Sequence, residues 1–232
     1  MRPIIAWSFS ALNDFKTCPY KYWAVRIGKI VSDVNQQNSA GEDYHRDFEL
    51  YVSRGKSLPV NLQRYAPVLD RIKRQPGALL CENQLALDAN YQSCGFKDWD
   101  RAFVRAVADV SIVNGSRAWW IDYKFGKPKK DQEQNALGAA VLMHTHPQVQ
   151  EVTTNYWYAL HDKWVPNHWR REDIPTIWNL FLPDVNRLAQ AKQQDNWPKT
   201  PGPLCGWCPV KQCQHNTMDE RLAREAAARQ PE

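Results

Sequence analysis

Hydrophobic positions along this chain change their spacing twice. Over residues 8–26, Leu12, Phe15 and Tyr22 anchor a predicted helix behind Ser8 or Ser10 as cap. Pro19, directly after Cys18, predicts a break or a new first turn inside it. Residues 41–54 and 62–74 predict a second and a third helix. The centre is different. Residues 78–87, 102–113 and 118–125 are rich in Val, Ile, Leu and aromatics and predict strands. Residues 131–146 return to a helical pattern, 151–160 and 163–166 predict a hairpin around His161-Asp162, and 174–196 predict a long amphipathic helix. The segment from Pro198 holds three cysteines and ends in a charged, Ala-rich stretch that reads as a loose helix. The sum is an α/β fold, a central mixed β-sheet flanked by helices.

Composition narrows this only slightly. At 232 residues, with 43% hydrophobic positions and 11 Trp, the chain can fill one full core. A net charge of +5 permits a polyanionic partner without demanding one. The N-terminus has no basic lead into an apolar run, and no stretch approaches the roughly 18 apolar residues of a membrane span, so the expectation is a cytoplasmic protein with no membrane partner. In such a protein the clustered cysteines read as metal ligands rather than disulfides.

The candidate chemistry lies on a hairpin. Asn114-Gly115 is a strong signal for a two-residue turn, which sets Val113 opposite Ser116 and Asp109 opposite Trp120. Asp109, Trp120, Asp122 and Lys124 then share one face of the sheet, with Asp109 and Asp122 as diagonal neighbours about 7–8 Å apart. Their strand neighbours are strongly apolar (Ala-Val-Ala-Asp-Val and Trp-Trp-Ile-Asp-Tyr-Lys-Phe). Unpaired charge on a buried face is costly. A salt bridge on a wet face is the bland explanation; a divalent ion held by both carboxylates is the better one.

The acidic strand followed by Ile121-Asp122-Tyr123-Lys124 resembles the Asp…(Asp/Glu)-x-Lys core of the PD-(D/E)xK nuclease superfamily, in its RecB-like branch with a C-terminal cysteine cluster. Other segments follow the order of that branch: Ser10-Ala11-Leu12 with Phe15-Lys16-Thr17-Cys18-Pro19, then Gly41-Glu42-Asp43-Tyr44-His45, then Gln134, then Cys205-Gly206-Trp207-Cys208-Pro209 with Cys213. Two positions depart from it. Gly138 stands where a Tyr is usual, four residues after Gln134, and the last cysteine spacing, Cys-x2-Cys-x4-Cys, is one residue short.

The resemblance implies a restriction-endonuclease-like core over residues 1–232. Residues 1–26 and 198–215 would form a clasp around a metal cluster, with 216–232 as a tail. It implies a metal-dependent DNA exonuclease, with Asp109, Asp122, Lys124 and Gln134 catalytic. His45, Asp109, Asp122 and the Tyr123 carbonyl would hold Mg²⁺ or Mn²⁺, the imidazole favouring Mn²⁺. Lys124 would orient the attacking water or stabilise charge on the phosphate, and Gln134 would orient Lys124 or touch DNA. Cys18, Cys205, Cys208 and Cys213 would bind a [4Fe–4S] cluster; spacing alone leaves Zn²⁺ open, with His215 as a lesser ligand.

Lys127, Lys129 and Lys130 follow the active strand and could grip DNA phosphates. The many Trp could stack on bases, but most occupy core positions. Cys81 and Cys94 fit no ligand spacing, and Glu82, entering the first central strand, could contact the site but is left out of the set. The absence of helicase motifs leaves unwinding to a recombination or replication partner. The competing reading is a non-catalytic nucleic-acid-binding or recombination-complex subunit with a zinc-bound tail. It predicts loss of the Asp/Asp/Lys set, which is intact.

Overall fold

The computed structural model describes residues 6–31 and 39–227, without the side chains of 39–43 and 224–227. The expected clasp and tail therefore extend, at 1–5 and 228–232, outside the described residues, as do the side chains of Gly41, Glu42 and Asp43 in the motif before His45. The chain divides into two compact units, residues 1–9 with 38–183, and 10–37 with 184–232.

In chain order the elements are α1 (Phe9–Thr17), α2 (Pro19–Tyr22), α3 (Ser39–Arg54), α4 (Ala66–Lys73), β1 (Ala78–Asp88), β2 (Ser93–Cys94), β3 (Ala102–Asn114), β4 (Arg117–Lys124), α5 (Glu133–Thr145), β5 (Glu151–Tyr158), β6 (Lys163–Arg170), α6 (Ile174–Gln194) and α7 (Met218–Ala227). Helices α1 and α2 part at Cys18-Pro19 as predicted, because Pro lacks the N–H the helix interior needs and sits well in a first turn. No helix among the described residues is long and apolar enough to cross a membrane.

The first unit is built on one six-stranded mixed sheet in the order β2-β1-β3-β4-β5-β6. Only β4 and β5 run parallel, and α5 supplies the crossover that parallel neighbours need. Helix α5 is apolar on every side, Asn135 to Met143 all buried, as expected of a helix inside the fold. It packs on one face of the sheet, where Ala108, Ala118 and Trp120 meet Ala139, Leu142 and Met143. On the other face Val110, Ile112, Ile121, Tyr123 and Trp157 pack against Phe48 of α3 and Leu69 of α4. Trp157 is fully buried between Phe48 and Trp164, stacked on both with ring centroids 5.7 Å apart.

The hairpin departs from the predicted register. Asn114 pairs with Arg117, so the turn is Gly115-Ser116, with Gly115 at φ +60° in the first central position, as a type II′ turn requires. Trp120 pairs with Ser111 rather than facing Asp109. The displacement is two residues along the ladder, so the parity of faces on β4 survives. The β3–β4 ladder stops at Val110↔Ile121, whereas β4 continues along β5 to Lys124↔Tyr158 and β3 continues along β1. The sheet therefore splays just where Asp109 and Asp122 stand.

Alternation also breaks there. Leu79 and Cys81 pack on the α3 face, but Leu85 packs on the α5 face; Val110 and Ile112 lie on the α3 face, Ala106 and Ala108 on the other. Register is the same on both sides of the break, so one residue of each strand, Glu82 and Asp109, absorbs it together. Glu82 carries a φ of +47°, a left-handed conformation rare and costly for a non-glycine residue.

The second unit contains the cysteine segments. Phe15 and Tyr22 pack edge to face, and Trp197 stacks on Tyr22 at 5.7 Å. Asp14 binds Lys21 at 2.8 Å and Arg26 at 3.0 Å. Arg221 of α7 donates from its guanidinium to the Gly206 carbonyl at 2.6 Å and lies over the Trp207 ring.

Candidate active site

The splay gathers the predicted acids in a different arrangement from a flat ladder. Asp109, at the break in β3, uses one oxygen to accept the Tyr123 backbone N–H and the other to meet His45 Nδ1 at 3.1 Å. His45 comes from α3, across the sheet face. Burial disfavours its imidazolium, but the hydrogen bond to Asp109 and the charges of Asp109, Asp122 and Glu82 outweigh this and raise its pKa.

Glu82 completes the cluster. One ligand atom from each of His45, Glu82 and Asp109 lies within 4.8 Å of the other two, a separation one divalent ion can bridge. Glu82 is exposed, yet partial desolvation of its carboxyl, followed by the charge of Asp109, raises its pKa. The strained backbone at Glu82 turns an acid of β1 toward the acids of β3 and β4. Sequence reading gave Glu82 no role; its one signal was a charged residue inside an apolar strand pattern.

Asp122 occupies the other wall of the opening and is only 4% exposed. Its Oδ1 accepts from Gln134 Nε2 at 2.8 Å, Lys124 Nζ donates to Gln134 Oε1 at 3.0 Å, and Lys124 Nζ lies 2.6 Å from Asp122 Oδ2. Gln134, in the first turn of α5, thus ties the acid to the lysine. The approach to Oδ2 is an ion pair without hydrogen-bond alignment, so this buried oxygen keeps capacity for a further ligand. Burial and the neighbouring Asp109 charge push the Asp122 carboxyl up to about 6, against the pull of Lys124. Three carboxylates and an imidazole, with Glu82, Asp122 and His45 each pushed toward the protonated form, are a donor set suited to a divalent cation.

Tyr123 itself is buried, its ring in the core beside Phe48 and Trp157. Lys127, Lys129 and Lys130 lie on the loop between β4 and α5, all exposed, with the Lys129 N–H bound to the Tyr158 hydroxyl at 2.9 Å. The departure at Gly138 has a steric cause: a Cβ there would stand 2.5 Å from the Trp120 indole, so no larger side chain fits. In the second unit, Cys18, Cys205, Cys208, Cys213 and His215 line one cavity of about 400 Å³.

Several solved structures resemble the chain, two of them as follows. One is the crystal structure of SSO0001, 13% identical, covering 93% of this chain and 89% of that one at a TM-score of 0.47. The other is an exonuclease candidate from Eubacterium rectale, 11% identical, covering 85% and 90% at a TM-score of 0.47. Among curated proteins none matches. A family model, that of the PD-(D/E)XK nuclease superfamily, matches residues 6–213, a span that takes in every residue of the site. This chain belongs to the PD-(D/E)XK nuclease superfamily.

Proposed function

We propose that the protein is a divalent-metal-dependent deoxyribonuclease of the RecB-like branch, acting as an exonuclease at DNA ends, in which residues 1–232 serve as one nuclease. The observation that carries this is the convergence of His45, Glu82 and Asp109 with the Asp122–Gln134–Lys124 triangle at the splay. His45, Glu82, Asp109 and Asp122, with the Tyr123 carbonyl, would hold Mg²⁺ or Mn²⁺. When bound, the ion neutralises phosphate charge and activates water. Lys124, held by Asp122 and Gln134, presents its ammonium where it can orient that water or meet charge on the phosphate. Lys127, Lys129 and Lys130 would contact the DNA backbone.

The second part of the proposal is a structural [4Fe–4S] cluster on Cys18, Cys205, Cys208 and Cys213. All four line one cavity. The backbone N–H of Thr200 donates to Cys18 Sγ and that of Gly202 to Cys205 Sγ, each at 3.4 Å. Four thiols suit tetrahedral zinc as well, so the cluster reading rests on the family resemblance, and metal analysis separates the two.

The test is digestion of end-labelled linear and closed circular DNA by anaerobically purified protein with Mn²⁺ or Mg²⁺, with and without chelator. The expected result is metal-dependent loss of the linear substrate and survival of the circle, with iron and sulfide near four per chain. No cleavage with either ion would refute the nuclease. Equal cleavage of the circle would refute action at ends, and one zinc in place of iron would refute the cluster.

A further inference from the structure

Of the eleven tryptophans four are buried and five partly covered, but Trp99, like Trp207, is exposed. It is 61% exposed, on the loop between β2 and β3. That loop is not slack: Asp98 N–H bonds the Gly95 carbonyl at 3.0 Å, Ala102 N–H bonds the Asp98 carbonyl at 2.8 Å, and Arg101 reaches Asp88 and Asp98. Beneath the indole lies Arg105, its guanidinium carbon 3.8 Å from the ring centroid, with Phe96 on the same cation at 5.0 Å. The ring is therefore held flat over a positive charge, with much of its surface open to solvent.

The strand under it leads to the active site. Arg105 lies on β3, four residues before Asp109, about 13 Å along the strand. Ala106 and Ala108 pack on the α5 face, so Arg105 and Val107 alternate onto the opposite one. On β1, Gln84 pairs with Val107 and is exposed. Past the break at Glu82 and Asp109 this face carries Gln84, Val107 and Arg105, none of them buried. Between the acids and the Trp99 ring this face is thus exposed at Gln84 and half-buried at Val107 and Arg105, with Ala86 covered opposite Arg105.

We infer that Trp99, backed by Arg105, is a stacking ledge for an unpaired base of the strand being cut, and so a determinant of single-strand engagement. This rests on the nuclease reading. At the 3.4 Å rise of a stacked strand, 13 Å places that base about four nucleotides from the phosphate at the acids, and fewer if the strand is extended. A paired base offers no free face to the ring, whereas every unpaired base does. The cation beneath draws the phosphates on either side.

The experiment uses full-length Asp109→Asn protein, which keeps the strand uncut, and end-labelled single-stranded oligonucleotides with 2-aminopurine at each of the first six positions. Quenching should peak at one position two to four nucleotides from the end. Adding Trp99→Ala should remove that peak and weaken single-strand affinity about 5- to 150-fold, with Trp99→Phe restoring most of it and blunt duplex binding little changed. Unchanged affinity in Trp99→Ala, or equal loss on duplex, would overturn the ledge. So would a Trp99-dependent dimer seen by sedimentation without DNA, which would assign the ring to a second copy. If Trp99→Ala misfolds, Trp99→Phe alone decides, since a ledge predicts that it retains the quenching peak. Trp99-dependent binding by a wild-type protein that cuts nothing would keep the ledge and sink the nuclease reading.

Discussion

Replacing Asp122 by Asn should stabilise the metal-free protein while abolishing cleavage. The carboxyl is buried beside Asp109, and its pKa stands near 6 rather than 3.8, so above pH 6 the folded chain carries an ionised group it would rather protonate. Two pKa units correspond to roughly 3 kcal/mol at about 1.4 kcal/mol each, an upper bound. Asn removes that penalty, but Lys124 loses its charge partner; its side chain is 32% exposed and can turn to water. About 2 kcal/mol should remain, which in a chain of this size raises Tm by roughly 4–8 °C. The sign follows from proton counting. Between about pH 4 and 6 the native state binds more protons than the unfolded chain, so wild-type stability falls as pH rises through that window, and the variant escapes the fall. Calorimetry in chelator should show the variant melting higher at pH 8 and level with wild type at pH 4. A variant that melts lower than wild type at pH 8 would refute the reading of Asp122 as a strained metal-site acid.

Glu82→Gln should weaken Mn²⁺ binding at least tenfold by titration calorimetry, because it deletes one of three atoms clustered within 4.8 Å; unchanged affinity would remove Glu82 from the ligand set. Lys124→Ala should cut the cleavage rate 100-fold or more, within the roughly 10²–10⁴ range for a positioned proton-transfer group, while leaving Mn²⁺ affinity within a few-fold. Gly138→Ala should destabilise by about 1–3 kcal/mol, since the new methyl meets the Trp120 ring, despite Ala's better helix propensity; a stable variant would mean the α5–sheet spacing is looser than described. Cys205→Ala should lose iron and brown colour together on anaerobic purification; full iron retention would exclude Cys205 as a ligand.

The strands and most helices were legible because their periods are strong, and Asp109, Asp122 and Lys124 stood out as candidates because acids and a lysine interrupt apolar strands, whereas Gln134 came only from the family resemblance. The hairpin register was not. Asn114-Gly115 and Gly115-Ser116 both suit two-residue turns, and moving from one to the other keeps every side chain of β4 on the same face, so the hydrophobic pattern is blind to the choice. Glu82 was hidden for a related reason. Its position depends on a left-handed backbone and a break shared by two strands, neither of which leaves a residue-type signature when the residue is not glycine. Strand β2, two residues long, is too short to show a period. The ring under Gly138 lies 18 positions away in sequence, and only packing brings it there.

The early end of the β3–β4 ladder has a mechanical consequence. The two strands share five pairs, from Val110↔Ile121 to Asn114↔Arg117. Beyond them, Glu82 and Asp109 ride with β1 and β3, while Asp122 and Lys124 ride with β4 and β5. The acids thus sit on two strand pairs joined at the hairpin, with no β3–β4 ladder rung between them; the contact of Asp109 with the Tyr123 N–H, the packing of Ala108 and Trp120 on α5 and that of Val110 and Tyr123 on α3 span the gap. Mg²⁺ wants oxygens at about 2.0–2.1 Å and Ca²⁺ at about 2.3–2.6 Å. No ladder rung fixes that gap to either radius, so discrimination between ions would rest on the chemistry of the His45 nitrogen and the carboxylates.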